Sequence, residues 1–216
     1  MTLPANADRN TMSSRLFLLW TLTGVFLLAP ALPGSSSSRL IYREQLYRLY
    51  HQHFYTHPQR IAENIYWLEQ ALRSDFANPL YALARIANER EWEWYRYLFS
   101  MHINLKLTEL YLQWGAQYMK FEAFFYNAPW QQQNLESLDR AEELFTYALV
   151  YWDEARRWSQ EAAPIRFISL DRIQHWEDQH HRIRSGSLNY RRIIENHLDR
   201  VAEVRSAFEA MDASTY

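Results

Sequence analysis

The run His175-Trp176-Glu177-Asp178-Gln179-His180-His181 gathers residue types that ligate metals and move protons. On a helix, Glu177 and Asp178 would share a face with His181, as a carboxylate–imidazole metal site requires. The order differs from the His-Glu-x-x-His of zinc hydrolases, and acid–histidine pairs at helical spacing are common on solvated helices. Surface salt bridges are therefore expected here, and no metal ligand is assigned. A second group, His51, His53 and His57, is weaker, because His51 and His53 point to different sides of one helix. Carboxylate pairs such as Glu142-Glu143, or Glu91 with Glu93, raise the chemistry of glycoside hydrolysis, which needs two carboxyl groups about 5 to 9.5 Å apart across a cleft. Exposed Glu at helical spacing reads instead as a solvated face. No catalytic residue and no cofactor is assigned, and the chain is expected to be non-enzymatic.

The constellation with most information is structural. Tyr111-x-x-Trp114-Gly115-x-x-Tyr118 is followed by Ala141-x-x-x-Phe145-x-x-Ala148. Both halves resemble the tetratricopeptide signature, in which a Gly on one helix admits a close neighbour, large aromatics fill the groove and small Ala positions receive them. Two departures matter: Tyr118 and Ala141 stand about 14 positions further apart than in the repeat, and Asp153 replaces its proline. The extra length forms an inserted loop carrying Phe124, Phe125, Tyr126 and Trp130, more aromatic surface than a solvated loop needs. These rings either plug the chain's own groove or anchor a partner. An array needs about three stacked units, and only one and a fraction are legible, the fraction being a degenerate boundary at Ala71–Pro79.

The elements that must position these residues are helices. A first stripe, Leu40, Ile41, Leu46, Leu49, Tyr50 and Phe54, ends at His57-Pro58, and a second, Ile61, Ile65, Leu68 and Leu72, breaks at Asp75–Pro79, giving a hairpin. Asn78-Pro79 reads as a cap and first helical residue. The unbroken pattern from there to Asn127 is too long for one helix, so an interruption is expected within Ala87–Glu91 or Ser100–Asn104. Gln131–Asn134 reads as a polar connection into a helix from about Leu138 to Glu161. Two more follow, one from about Pro164 to Arg184 closed by Gly186, the other carrying Tyr190, Ile194, His197, Val201, Val204, Phe208 and Met211. The predicted fold is all-α: a compact bundle of six or seven helices containing one tetratricopeptide-like antiparallel pair.

Composition agrees, with only four Gly and seven Pro against nine Trp, fifteen Tyr and eleven Phe. Basic and acidic residues nearly cancel at 23 and 25, so nucleic acid is not an expected partner. Cysteine is absent, excluding disulfides and thiolate chemistry. At the N-terminus, Arg9 and Arg15 precede an apolar stretch from Leu16 to Leu28, then Ala29-Pro30-Ala31 and a Ser-rich segment, the order of a secretory signal. Residues 1–38 are expected to be a signal peptide and short linker, 39–216 a single helical domain in the periplasm. Membrane contact is expected only if the N-terminal segment is retained as an anchor.

The segments Phe76-Ala77-Asn78-Pro79-Leu80-Tyr81-Ala82-Leu83-Ala84, Tyr95-Arg96-Tyr97-Leu98-Phe99, Phe125-Tyr126-Asn127-Ala128-Pro129-Trp130 and Tyr151-Trp152-Asp153-Glu154-Ala155 resemble a spirochaetal family of exported helical proteins. That family includes tetratricopeptide-containing components of the periplasmic flagellar collar. The resemblance implies a scaffold or adaptor that holds other proteins, flagellar motor or collar components among them, with motility as the phenotype. The alternative is a periplasmic helical subunit that binds a small ligand or metal for a transporter.

Overall fold

A computed structural model of the chain describes residues 42–123, 128–212 and 214. They form six α-helices: α1 Arg43–Thr56, α2 Ile61–Arg73, α3 Glu89–Tyr118, α4 Gln131–Ala162, α5 Gln174–Ser185 and α6 Tyr190–Glu209, with short 3-10 turns at Pro79–Tyr81 and Ala128–Trp130. The fold is an all-helical bundle. Residues 1–38, read above as an export signal, lie outside the described residues. None of the described helices is long and apolar enough to cross a membrane.

The bundle is organised around α3. Every residue from Leu98 to Leu105 is buried, so this helix is enclosed on all sides at its centre. Its polar residues are satisfied within the core: Asn104 Nδ2 donates to the Ser100 carbonyl, Thr108 Oγ1 to the Asn104 carbonyl, and Arg43 to Ser100 Oγ. Contacts between α3 and α4 pair Tyr118 with Ser137, Gly115 with Phe145, Tyr111 with Tyr151 and Tyr97 with Trp158, which makes the two helices antiparallel. α6 returns along α4 through Arg205 to Asp139 and Glu142, His197 on Phe145, and Tyr190 against Trp152. α1 and α2 form the expected hairpin. Arg43 spans its open end, its guanidinium donating to the Ala71, Leu72 and Ser74 carbonyls while lying 4.2 Å over the Phe76 ring. Those carbonyls are among the orphan acceptors every helix leaves at its C-terminus.

Several boundaries differ from the sequence reading. Asn78 does cap through Leu80 N–H, but only a 3-10 turn follows. The interruption expected within Ala87–Glu91 is present: α3 begins after Asn88, whose Oδ1 accepts from Glu91 N–H while Glu91 accepts from Ala87 N–H and Asn88 Nδ2. That reciprocal cap sets the boundary without Pro or Gly. No break falls at Ser100–Asn104, because that stretch is the buried centre. α4 starts at Gln131, seven residues ahead of the expected Leu138, since Gln131 Nε2 donates to the Phe208 and Met211 carbonyls and draws the polar stretch against the end of α6. Residues 164–173, expected to be helical, are not. Phe167 and Arg172 take left-handed backbone, and Glu177 in the first turn of α5 accepts from Leu170 N–H and Ser169 Oγ, holding the segment as a loop. Gly186 closes α5 at φ 75° as read.

Candidate functional site

The seven signature positions meet where α3 faces α4. Ala141, Phe145 and Ala148 are fully buried. A Cβ added at Gly115 would lie 2.6 Å from Phe145 Cε1, so the glycine is what allows the ring to lie against the α3 backbone. His197 of α6 stacks on that ring, with centroids 4.8 Å apart. Tyr111 is buried, whereas Trp114 and Tyr118 are only half-buried. Trp114 was expected to fill the groove. Phe145 takes that place instead, and the indole lies near the surface under the Arg140 guanidinium, 5.3 Å from the ring. The helices joined here have 30 and 32 residues, about twice what a 34-residue two-helix repeat supplies.

The same pair of helices, with α2, builds an aromatic face around one carboxylate. Glu69 Oε1 accepts from the Tyr111 and Tyr151 hydroxyls at 2.9 and 2.8 Å, and Arg73 stands 3.5 Å from Oε2. Tyr111 and Tyr151 stack at 5.4 Å and 15°, and Tyr147 lies a further 5.4 Å from Tyr111. Burial and the bond to Glu69 push both phenols well above their ordinary pKa, so they remain donors. Around this fixed centre, Tyr147 is 44% exposed and Val150 55%. On α2, Tyr66 precedes Glu69 by one turn and is 51% exposed. The arrangement fixes two stacked rings beneath an exposed one, Tyr147, a geometry suited to a binding face. Sequence reasoning placed Tyr111 here but missed Glu69, Tyr147 and Tyr151; their signal was a column of aromatics one turn apart on α4.

A second cluster runs from the core, at His102 and Tyr47, out to the exposed His51. His102 is buried in full, with Nδ1 bonded to Gln179 Oε1 at 2.7 Å and Nε2 to the Tyr47 hydroxyl at 2.7 Å; His51 Nε2 reaches the same hydroxyl at 2.8 Å. With Gln179 Oε1 accepting, Nδ1 carries the proton, Tyr47 donates to His102, and His51 donates to Tyr47, so the whole line is satisfied with neutral imidazoles. Burial holds His102 well below its ordinary pKa, and Trp176 stacks on it at 4.9 Å. Its role is to join α1, α3 and α5. His53 faces away from His51, towards Asn64 and Glu63 of α2.

The histidine run on α5 behaves differently from its expectation. Glu177 forms no surface pair with His181; it holds the 163–173 loop and accepts weakly from Trp94 Nε1. His180 is buried against Trp94 and bonded to Ser159 at 2.9 Å, because α5 turns that side onto α3 and α4. Among the described residues no group of three or more His, Cys, Asp or Glu is placed to hold a metal ion. Glu142 pairs with Arg205, Glu143 with Arg140, Glu91 serves the α3 cap and Glu93 accepts from Tyr97. Phe124, Phe125 and Tyr126 lie outside the described residues, and Trp130 is 55% exposed.

Residues 90–211, more than half of the chain, match the family described as Domain of unknown function (DUF8513). The chain belongs to this family. No curated protein and no solved structure matches it. The DUF8513 span opens at the second residue of α3 and closes just beyond α6, so it takes in the antiparallel α3–α4–α6 set and α5, and leaves out the α1–α2 hairpin. Three tyrosines of the aromatic face belong to the DUF8513 span; Glu69, which orients two of them, comes from outside it.

Proposed function

We propose that this chain is an exported, non-enzymatic scaffold or adaptor that holds other proteins in the periplasm. The observation that carries the reading is the rigid aromatic face on α2, α3 and α4, where Glu69 fixes Tyr111 and Tyr151 and leaves Tyr147, Tyr66 and Val150 exposed. Exposed aromatics held by a packed support lose little conformational freedom on binding, which is why such rings are enriched at protein interfaces. The engagement of Glu91, Glu93, Glu142 and Glu143 in caps and pairs further favours a binding role over acid–base chemistry. The family resemblance noted from sequence directs the search for a partner to the flagellar motor and its collar.

A photoreactive phenylalanine derivative at Tyr147, with a control at Asn196 on α6, tests the face in cells of the source organism. A discrete crosslinked product from Tyr147, lost on Tyr66→Ala, is the expected result; the same products from both positions would overturn it. Deleting the gene and imaging the motor by electron cryotomography tests the collar assignment separately. Intact collar density in a swimming strain would remove the motor and leave the adaptor.

A further inference from the structure

The end of α4, the 163–173 loop and the last turns of α5 enclose a cleft of about 500 Å³. Its buried lining is Trp94 and His180, and its exposed lining includes Arg166, His181 and Arg184. None of the described residues lining it is acidic. A neighbouring hollow of about 250 Å³ shares Arg184 and adds Ser159 and Arg156, the last paired with Asp153 at 3.7 Å outside the lining. In a chain whose acids outnumber its bases, this concentration of cations is a local feature.

Arg140, Arg157, Arg191, Arg200 and Arg205 pair with carboxylates. Arg166 and Arg184 have no carboxylate partner among the described residues, a state they share with Arg48 and Arg192, but these two line one cleft. The rim carries a third oddity. Phe167 is fully exposed and sits at φ 63°, a conformation that bulky L residues adopt only when their surroundings impose it. Here the surroundings do so, since Leu170 and Ile173 are buried and Glu177 grips Leu170 N–H and Ser169 Oγ. An aromatic ring is thus held at the edge of a cationic cleft by a loop anchored on its far side.

Guanidinium groups fit carboxylate, sulfonate and phosphate through paired N–H donors, and an indole with flanking isoleucines, Ile165 and Ile168, offers an apolar wall. The volume lies in the range of small-molecule sites. We propose that this cleft binds a small amphiphilic anion, its acidic head on Arg166 and Arg184 and its apolar body against Trp94 and the Phe167 loop. The site is independent of the aromatic face on α2, α3 and α4 and lies wholly within the DUF8513 span.

The test is a fluorescence titration of the full chain with 8-anilinonaphthalene-1-sulfonate, an aromatic sulfonate. One saturable site is expected. Its affinity should fall roughly tenfold or more in the double variant Arg166→Gln, Arg184→Gln, as loss of charged hydrogen bonds implies. Arg48→Gln with Arg192→Gln, which changes net charge equally at exposed positions elsewhere, should leave it unaltered. Phe167→Ala removes an exposed ring and should weaken binding without lowering the melting temperature. Octanoate and octyl phosphate should displace the probe, and octanol and inorganic phosphate should not. Binding unchanged in the Arg166, Arg184 variant would overturn the site, and displacement by octanol or by inorganic phosphate would overturn the head-and-body chemistry. Cosedimentation with phosphatidylglycerol vesicles, lost in the same variant, would support the site and assign the anion to a lipid headgroup; displacement by octanoate without cosedimentation would support it and assign a free amphiphile.

Discussion

At Gly115 one missing methyl group decides how closely α3 and α4 approach. The Phe145 ring has little room to swing aside and admit a Cβ, because His197 stacks on it and it is fully buried. Gly115→Ala should therefore lose about 1–2 kcal/mol in urea unfolding, the overpacking cost exceeding the roughly 1 kcal/mol that Ala gains over Gly in a helix. A variant as stable as the parent would mean the ring yields. The buried imidazoles act together on pH. Burial lowers the pKa of His102 well below the ordinary 6.5, and that of His180 to about 4, with the nearby charges of His181 and Arg184 adding to the effect at His180. The unfolded chain then takes up protons first as pH falls, so the contribution these groups make is complete above about 6.5 and is lost progressively below it. Melting temperature should drop between pH 6.5 and 4, and His102→Gln should flatten that slope even if it lowers the melting temperature at pH 7.5.

Among the elements, α2 depends on a residue of α1 for its C-terminal cap. Arg43 serves three carbonyls and a ring at once, a geometry that the fork of a guanidinium can reach and an ammonium cannot. Arg43→Lys keeps the charge and should still cost about 1–3 kcal/mol by thermal or urea melts, with the loss confined to circular dichroism and exchange changes in the α1–α2 hairpin if it unfolds first. How far such elements were legible follows from where their signals sit. The α1–α2 hairpin and the Gly186 terminator were readable because Pro, Gly and apolar spacing are local. The interruption ahead of α3 was legible within Ala87–Glu91 from length alone, and the cap of Asn88 and Glu91, three residues apart, fixes its place. The first turns of α4 were hidden, since Gln131 is drawn into helix by carbonyls of α6, far along the chain. The loop at 163–173 was hidden for a more local reason: Pro164 allows a helix to begin there, and Glu177, bonded back to Leu170 and Ser169, holds the segment as a loop.

For the whole molecule, the enclosure of α3 sets a gradient of stability. Its centre, Leu98 to Leu105, is buried on every side, whereas the 163–173 loop is held by few bonds and presents Phe167 to solvent. Amide hydrogen exchange should be slowest across the middle of α3 and fastest in that loop, with α1 and α2 exchanging ahead of α4 and α6. Equal protection of α1 and α3 would mean that the hairpin and the family core open as one unit. A helix with no water-facing side at its centre also cannot stabilise itself while the chain is being made. α2 precedes α3, but α4 and α5, which cover the rest of it, leave the ribosome later, so a chain halted after Tyr118 would display the α4-facing side of α3 to the cell. Holding chaperones should therefore bind such halted chains and release them only once α4 and α5 have been synthesised.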